Sequence, residues 1–167
     1  MNDDLGTDPA IPPISTAHLF TLRAQLNGSF DAGDAPLGRR ILNAVGTGVF
    51  EGPKLRGALI AGTGDWMLVR RDGVRVIDAR VVLRTDDDAI IHMSYGGRFA
   101  ASPDVLAEMA RDRDNRHLVS RSRYYMRTTP TFETGAPAYA WLNDVMCVAS
   151  GWLTEGGGVA YAVYQVM

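Results

Sequence analysis

Two short segments carry charged side chains whose types and spacing are suited to acid–base chemistry. Asp78 and Arg80 lie two residues apart, so they share one face of an extended strand. Arg127 and Glu133 lie in a second segment, on either side of Pro130. A carboxylate can remove a proton as a general base, and an arginine can hold an oxyanion or a substrate carboxylate through two hydrogen bonds. The pattern therefore predicts proton transfer, with one of the two carboxylates as base and one of the two arginines as anion holder.

Aromatic and amide side chains near these charges predict a binding pocket. Large rings beside amide, guanidinium and carboxylate groups suit a small ligand that bears a ring or a carbonyl. The predicted substrate-binding residues are Trp66, Tyr95, Tyr125, Trp141 and Asn143. Two simpler interpretations stay open. Asp78 can pair with an arginine in a structural ion pair, and the two tryptophans can serve core packing alone.

Other chemistries find little support in the residues. The histidines His18, His92 and His117 stand singly, without a partner at metal-ligand spacing, so we expect no metal site. Cys147 lies in an apolar run, which predicts an inert core thiol. The glycines of residues 46–52 imitate a dinucleotide loop, but the third is misplaced and no helix is predicted after it. We therefore expect no cofactor.

Composition places the chain among ordinary globular domains. Its 167 residues, 46% hydrophobic and 22% charged, suffice for one domain with one core. The 17 Lys and Arg against 19 Asp and Glu leave a net charge of −2, which favours neither nucleic acid nor an anionic membrane as a partner. No signal-peptide pattern and no long apolar run is visible, so a cytoplasmic location is expected.

The elements that must position these residues are predicted to be strands. The 18 glycines, with Asp and Pro, separate short β-rich runs, which is typical of an antiparallel sandwich or barrel. Strands are predicted near residues 17–26, 38–48, 54–61, 65–71, 74–85, 89–95, 122–129, 139–150 and 158–166. Asp72-Gly73 predicts a tight hairpin, and residues 102–111 predict one helix that starts at Ser-Pro. Residues 1–14 are expected to form a flexible tail before a barrel domain at 15–167.

Alternation in the strand at 74–85 separates two faces. The odd positions from Ile77 to Leu83 are uniformly apolar, whereas the even positions mix apolar residues with Asp78, Arg80 and Arg84. The mixed face either meets solvent or lines the cavity of a small barrel. The strand by itself leaves both interpretations open.

An ordered series of short motifs runs through most of the chain. The motifs are Gly48-x-Phe50-Glu51-Gly52-Pro53-x-Leu55-x-Gly57, Gly64-Asp65-Trp66, Asp72-Gly73, Asp78-Ala79-Arg80, Leu83-Arg84-Thr85-Asp86-Asp87, and Arg127-Thr128-x-Pro130-x-Phe132-Glu133-Thr134 with Tyr139-x-Trp141-Leu142-Asn143. Over about residues 17–166 the series resembles domain-of-unknown-function family 3237. The resemblance implies a lipocalin-like antiparallel barrel, found mainly in bacteria and fungi and often beside genes of aromatic or secondary metabolism, with no agreed reaction. Relatives tend to have Asp-Asp-Gly where this chain has Asp86-Asp87-Asp88, which calls a glycine-dependent turn into question here.

Two main functions follow from these observations. The leading hypothesis is a cofactor-independent isomerase, cyclase or lyase that acts on a small aromatic or polyketide-like molecule by acid–base chemistry in the barrel cavity. The alternative is a non-catalytic carrier of the same ligands. An acid and a base that converge on one enclosed volume favour the enzyme, whereas an apolar pocket with one anchoring arginine favours the carrier. The sequence leaves open whether the chain is catalytic, and whether it assembles as a homo-oligomer.

Overall fold

The chain folds into a closed antiparallel barrel of eight strands in a computed structural model, which describes residues 13–112 and 114–167. The strands are β1 (Thr16–Ala35), β2 (Gly38–Glu51), β3 (Arg56–Val69), β4 (Arg75–Thr85), β5 (Ile90–Ala101), β6 (Tyr124–Glu133), β7 (Cys147–Leu153) and β8 (Val159–Val166). Each strand pairs with the next along the chain, and β1 pairs with β8 to close the sheet. The expected all-β barrel is confirmed. Most of the predicted tail, residues 1–12, lies outside the described residues.

Side chains alternate between the inside and the outside of the barrel. On β4 the odd residues Ile77, Ala79, Val81 and Leu83 are buried inside the barrel, at 4% exposure or less. The mixed face of this strand therefore points outward. The ten residues of β6 alternate strictly between buried and exposed, beginning with buried Tyr124. Alternation thus assigns every strand residue to one of two separate environments.

Two predicted strands merge into one. The strands expected at 54–61 and 65–71 are parts of β3, which continues through the glycine-containing stretch between them. Ile60 pairs with Val82, and Gly64 pairs with Arg80. Between these two pairs β3 advances by four residues, whereas β4 advances by two. The extra residues form a bulge, and a bulge bends a strand without ending it.

The strand predicted at 139–150 was wrong in its first half. Residues Pro137–Asp144 form a 3-10 helix, and β7 begins only at Cys147. The period of three brings Tyr139 and Leu142 to one side, where Leu142 is fully buried and Tyr139 partly buried. The composition of this segment suits a strand equally well. Its helical conformation is therefore determined by packing against the end of the barrel.

The predicted helix is confirmed as α1 (Pro103–Arg111), which follows the N-cap residue Ser102. Val105 and Met109, four residues apart and therefore on the same face, are both buried against the barrel. The helix thereby adds its apolar face to the hydrophobic core.

Two turns between strands contain a residue with a positive φ angle. The hairpin between β3 and β4 closes through a hydrogen bond from the Arg70 amide to the Val74 carbonyl at 2.9 Å, with Gly73 at a φ of 83°. In the turn between β4 and β5, Asp88 adopts a φ of 64°. Aspartate tolerates this left-handed conformation better than most residues. The turn therefore keeps a positive φ although glycine is missing.

The aromatic core fills one end of the barrel. The ring of Phe20 lies 5.5 Å from that of Phe50 and 5.9 Å from that of Phe132, both edge-on. These side chains and Leu142 are buried at the end where β2 finishes and β3 begins. The filled end leaves the other end of the barrel as the place where a ligand can enter.

We expect Gly52→Ala to destabilise this filled end. A Cβ atom at Gly52 would overlap the carbonyl oxygen of Leu19 and the Cα of Phe20, which are backbone atoms of the neighbouring strand. Overlap of this kind costs about 1–3 kcal/mol of unfolding free energy, measured by urea denaturation. Gly135→Ala is the matched control, because a Cβ there meets no atom within 4 Å. Equal midpoints for the two variants would contradict this account.

Candidate functional site

A cavity of about 800 Å³ occupies the open end of the barrel. Its wall is mainly apolar and includes Leu26, Ile41, Met67, Ile77, Phe99 and Met126. Six charged side chains also line it, namely Asp31, Arg39, Asp65, Arg75, Asp114 and Arg116. A mostly apolar volume of this size with a few polar groups is typical of small-molecule sites.

Asp65 is the half-buried carboxylate of this cavity. It lies on β3 just after the bulge, opposite Asn43 of β2 and Ala79 of β4. Its Oδ1 accepts a hydrogen bond from the backbone N–H of Asp78 at 2.9 Å, and its Oδ2 accepts one from the Asn43 amide at 3.4 Å. Burial raises the pKa of the Asp65 carboxyl above its usual value, the nearby charge of Asp78 adds to this, and the two hydrogen bonds oppose it.

The amide of Asn43 is held in the orientation that Asp65 needs. The Ser29 hydroxyl donates to Oδ1 of Asn43 at 3.0 Å, which leaves the amide nitrogen directed at the carboxylate. Ser29, Asn43 and Asp65 occupy directly paired positions on β1, β2 and β3. Three adjacent strands thus contribute one row of hydrogen-bonded polar groups inside the barrel.

Two buried tyrosines complete the polar part of the cavity. The rings of Tyr95 and Tyr161 lie 5.5 Å apart, and both side chains line the same volume as Asp65. Burial raises the pKa of both hydroxyls well above the usual tyrosine value, and the charge of Asp65 adds to both shifts. Both phenols therefore stay protonated at neutral pH and can donate hydrogen bonds.

The register connects Tyr95 with Asp65. Tyr95 of β5 pairs with Ala79 of β4, and Ala79 pairs with Asp65 of β3. Two interstrand steps, roughly 10 Å, separate the two backbones, and only the methyl group of Ala79 lies between them in this row. A carboxylate and a phenol therefore face the same cavity from two sides.

The predicted pair Asp78 and Arg80 lies outside this cavity. Nη1 of Arg80 contacts Oδ1 of Asp78 at 3.0 Å, with both side chains about half exposed. The Arg80 guanidinium also lies 5.9 Å from the ring centre of Trp66, which is 41% exposed. Asp78, Arg80 and Trp66 were predicted to line the cavity, and this prediction was wrong. Their side chains lie at strand positions that point to the outside of the barrel. The pair corresponds to the structural ion pair left open by the sequence.

Arg127, Tyr125 and Glu133 also point outward, from β6. The guanidinium of Arg127 lies 5.1 Å from the ring centre of Tyr125, and its Nη1 donates to the Met126 carbonyl at 2.8 Å. Arg127 and Tyr125 line a separate groove of about 690 Å³ on the outer surface. Glu133 is 87% exposed and lies 4.0 Å from Nδ1 of His92. The prediction that these three residues lie inside the barrel was therefore wrong, because they occupy the outward-facing positions of β6.

Trp141 and Asn143 lie on the 3-10 helix at the filled end. Asn143 accepts from the Thr134 amide at 2.9 Å and donates to the Thr134 carbonyl at 3.0 Å, which fastens the helix to the end of β6. The Trp141 ring lies beneath the ammonium of Lys54 at 5.0 Å. Of the nine predicted site residues, all within the described part of the chain, Tyr95 is the one that lines the cavity.

Sequence reasoning did not include Asp65 and Tyr161, which line the cavity, among the candidate site residues. Asp65 alternates with Met67 and Val69, which line the cavity, and this was the available signal. The intervening positions of β3 are also apolar, beginning with Trp66, so the strand shows no clear dry face. Periodicity therefore could not tell which face of β3 turns inward.

Residues 13–112 and 114–167 were compared with the requirements of a metal site and of a membrane-spanning helix. No group of three or more His, Cys, Asp or Glu side chains there is arranged to hold a metal ion. None of the helices in those ranges has the length and apolar character that crossing a membrane requires.

Comparison with known proteins gives consistent matches along nearly the whole chain. A family model described as "Protein of unknown function (DUF3237)" matches residues 14–166. A UPF0311 protein of Rhodopseudomonas palustris is 28% identical over 157 residues, which cover 93% of this chain and 99% of that protein.

Solved structures share the fold. A beta-barrel-like protein of Acinetobacter baumannii superposes with a TM-score of 0.79 and 31% identity, covering 94% of this chain and 98% of that one. A protein described as an enzyme from Penicillium herquei superposes with a TM-score of 0.65 over 98% of this chain and all of that one (100%). Its 19% identity to this chain shows a likeness of fold alone.

We expect Asp65→Asn to change how stability depends on pH. Because the pKa of Asp65 is raised above the ordinary value of 3.8, the folded chain binds this proton more tightly than the unfolded chain. The stability from this group is full below pH 3.8 and is lost as pH rises through the raised pKa. Asparagine does not ionise, so Asp65→Asn should melt at a higher temperature than the wild type at pH 7.

Thermal unfolding between pH 4 and 8 measures this difference in Tm, which should shrink toward pH 4. The exposed variant Asp144→Asn serves as the matched control, with a difference near zero throughout. A difference for Asp65→Asn that stays constant across the range would show that the carboxyl titrates normally in the folded chain.

Proposed function

The chain belongs to the DUF3237 family of proteins of unknown function, and from that premise we propose that it is an enzyme that transfers protons on a small molecule in the barrel cavity. The observation that carries the proposal is the convergence of Asp65, Tyr95 and Tyr161 on one mainly apolar cavity. The proposed reactions are an isomerisation, a cyclisation or an elimination, none of which needs a group beyond acid and base.

Asp65 is the proposed general base. Its carboxylate takes a proton from a carbon next to a carbonyl group, and the electron pair of that C–H bond moves to the carbonyl oxygen as an enolate forms. A base works best when its pKa lies near the working pH, and burial shifts the pKa of Asp65 in that direction. The Asn43 amide and the Asp78 backbone N–H hold the carboxylate in place meanwhile.

Tyr95 and Tyr161 are the proposed donors to the developing oxyanion. Their raised pKa values keep both phenols neutral, so each can donate a hydrogen bond to an enolate or phenolate oxygen. In a water-poor cavity such donors stabilise developing charge more strongly than water-exposed ones do. Return of the proton from Asp65 to a different carbon gives an isomer, and loss of a leaving group next to the carbanion gives an elimination.

A carrier of the same ligands is the alternative. Most of the cavity wall is apolar, which suits either function. A hydrogen-bonded, half-buried carboxylate beside two protonated phenols favours the enzyme, because a carrier of apolar molecules gains nothing from an Asp65 whose ionisation is opposed by burial. A barrel of this fold that is described as an enzyme is compatible with catalysis.

Exchange of α-protons for deuterium tests the proposal. A panel of 1-indanone, 2-tetralone and acenaphthenone is incubated in D₂O, and NMR follows the loss of the α-proton signals. We expect the wild type to accelerate exchange for at least one ketone. Asp65→Asn should reduce this acceleration by about 10²–10⁴-fold, and Tyr95→Phe by about 10²-fold.

Two comparisons make this experiment decisive. Asp144→Asn, which changes an exposed carboxylate that does not line the cavity, should keep the wild-type rate. A loss on Asp78→Asn alone would instead locate the base on the outer face. Cavity binding of a ketone without any acceleration of exchange would identify a carrier and overturn the enzymatic proposal.

A further inference from the structure

The charged groups at the mouth of the cavity differ in how they are held. Asp31 and Arg39 pair with each other. Arg116 donates from Nη2 to the Gly157 carbonyl at 2.9 Å. Arg75 lies over an aromatic ring of the cavity wall, and Asp114 lines the same cavity.

Phe99 is the ring that supports Arg75. The guanidinium carbon lies 4.9 Å from the ring centre, and the two residues are directly paired on β4 and β5. Phe99 in turn stacks on Tyr124 at 5.3 Å, and the Tyr124 hydroxyl accepts a hydrogen bond from the Leu153 amide at 3.3 Å. A guanidinium stacked on a fixed ring keeps its plane, which suits two-pronged binding of a carboxylate.

The distance from Arg75 to the proposed base can be read from the strand register. Arg75 and Ala79 share the inner face of β4, four residues apart, which corresponds to roughly 13 Å of strand. Ala79 is the residue opposite Asp65. Between the two levels the wall is apolar, with Ile77 on β4 and Met67 on β3. Arg75 therefore lies toward the mouth of the cavity and Asp65 deeper inside, with an apolar wall between them.

We propose that the substrate carries a carboxylate, which Arg75 binds at the cavity mouth while the apolar body lies against Ile77 and the reacting atom reaches Asp65. The role of Asp65 rests on the proposed function, whereas recognition by Arg75 needs only the cavity. This orientation also keeps two negative charges apart, because a substrate carboxylate beside Asp65 would be repelled in a low-dielectric site. The expected substrate class is a mainly apolar carboxylic acid that is long enough to reach from Arg75 to Asp65.

Binding of a charged and a neutral probe of the same shape tests the anchor. Isothermal titration calorimetry compares 2-naphthoate with 2-naphthamide at pH 8. We expect the wild type to bind the acid at least tenfold more tightly than the amide. Arg75→Met, which keeps an apolar chain over Phe99, should bind the two probes equally. Retained affinity for the amide shows that the cavity of the variant is intact.

Arg84→Met is the matched control, because Arg84 is an exposed arginine on the outer face of the same strand. This variant should keep the preference for the acid. Equal affinities in the wild type, no binding of either probe, or a preference that survives Arg75→Met would each overturn the proposal. Loss of the preference in Arg116→Met alone would assign the anchor to that residue and overturn the assignment to Arg75.

The two proposals fail separately. A preserved acid preference together with proton exchange that is insensitive to Asp65→Asn would refute the base and leave the anchor standing. Exchange that depends on Asp65 without any acid preference would refute the anchor and leave the base standing.

Discussion

Closure of the sheet by β1 and β8 is the constraint on which the site depends. Their pairing runs from Thr16 opposite Val166 to Ala24 opposite Val159, and it turns the remaining strands into a continuous wall. Once the wall is closed, each side chain faces either the interior or the exterior, and a residue cannot change sides without a shift in register. Only side chains at inward-facing strand positions can therefore act together inside the barrel.

The two ends of the barrel interior differ in how they are filled. Aromatic packing around Phe20 fills one end and supplies apolar burial, whereas the other end keeps an open volume of about 800 Å³. Asp65 lies in the open part, where burial opposes its ionisation and hydrogen bonds from Asn43 and the Asp78 amide partly offset that effect. Holding an ionised carboxylate in such surroundings costs some folding stability.

Much of the fold was predictable because its signals are local. The Asp72-Gly73 turn, the Ser-Pro start of α1 and the alternation of β4 each depend on neighbouring residues, and the structure contains all three. The failures are non-local. The segment Pro137–Asp144 has strand-like composition but packs as a 3-10 helix, because Leu142 reaches the core only in that form.

The sequence by itself determined the fold class and the family, since glycine spacing, strand periodicity and an ordered set of motifs are properties of the chain. Only the tertiary structure decided which carboxylate faces the cavity. Asp78 and Asp65 look alike as strand residues, but β4 turns Asp78 outward and β3 turns Asp65 into the cavity. The physical reason is that alternation separates two faces of a strand, whereas pairing with distant strands decides which face is enclosed.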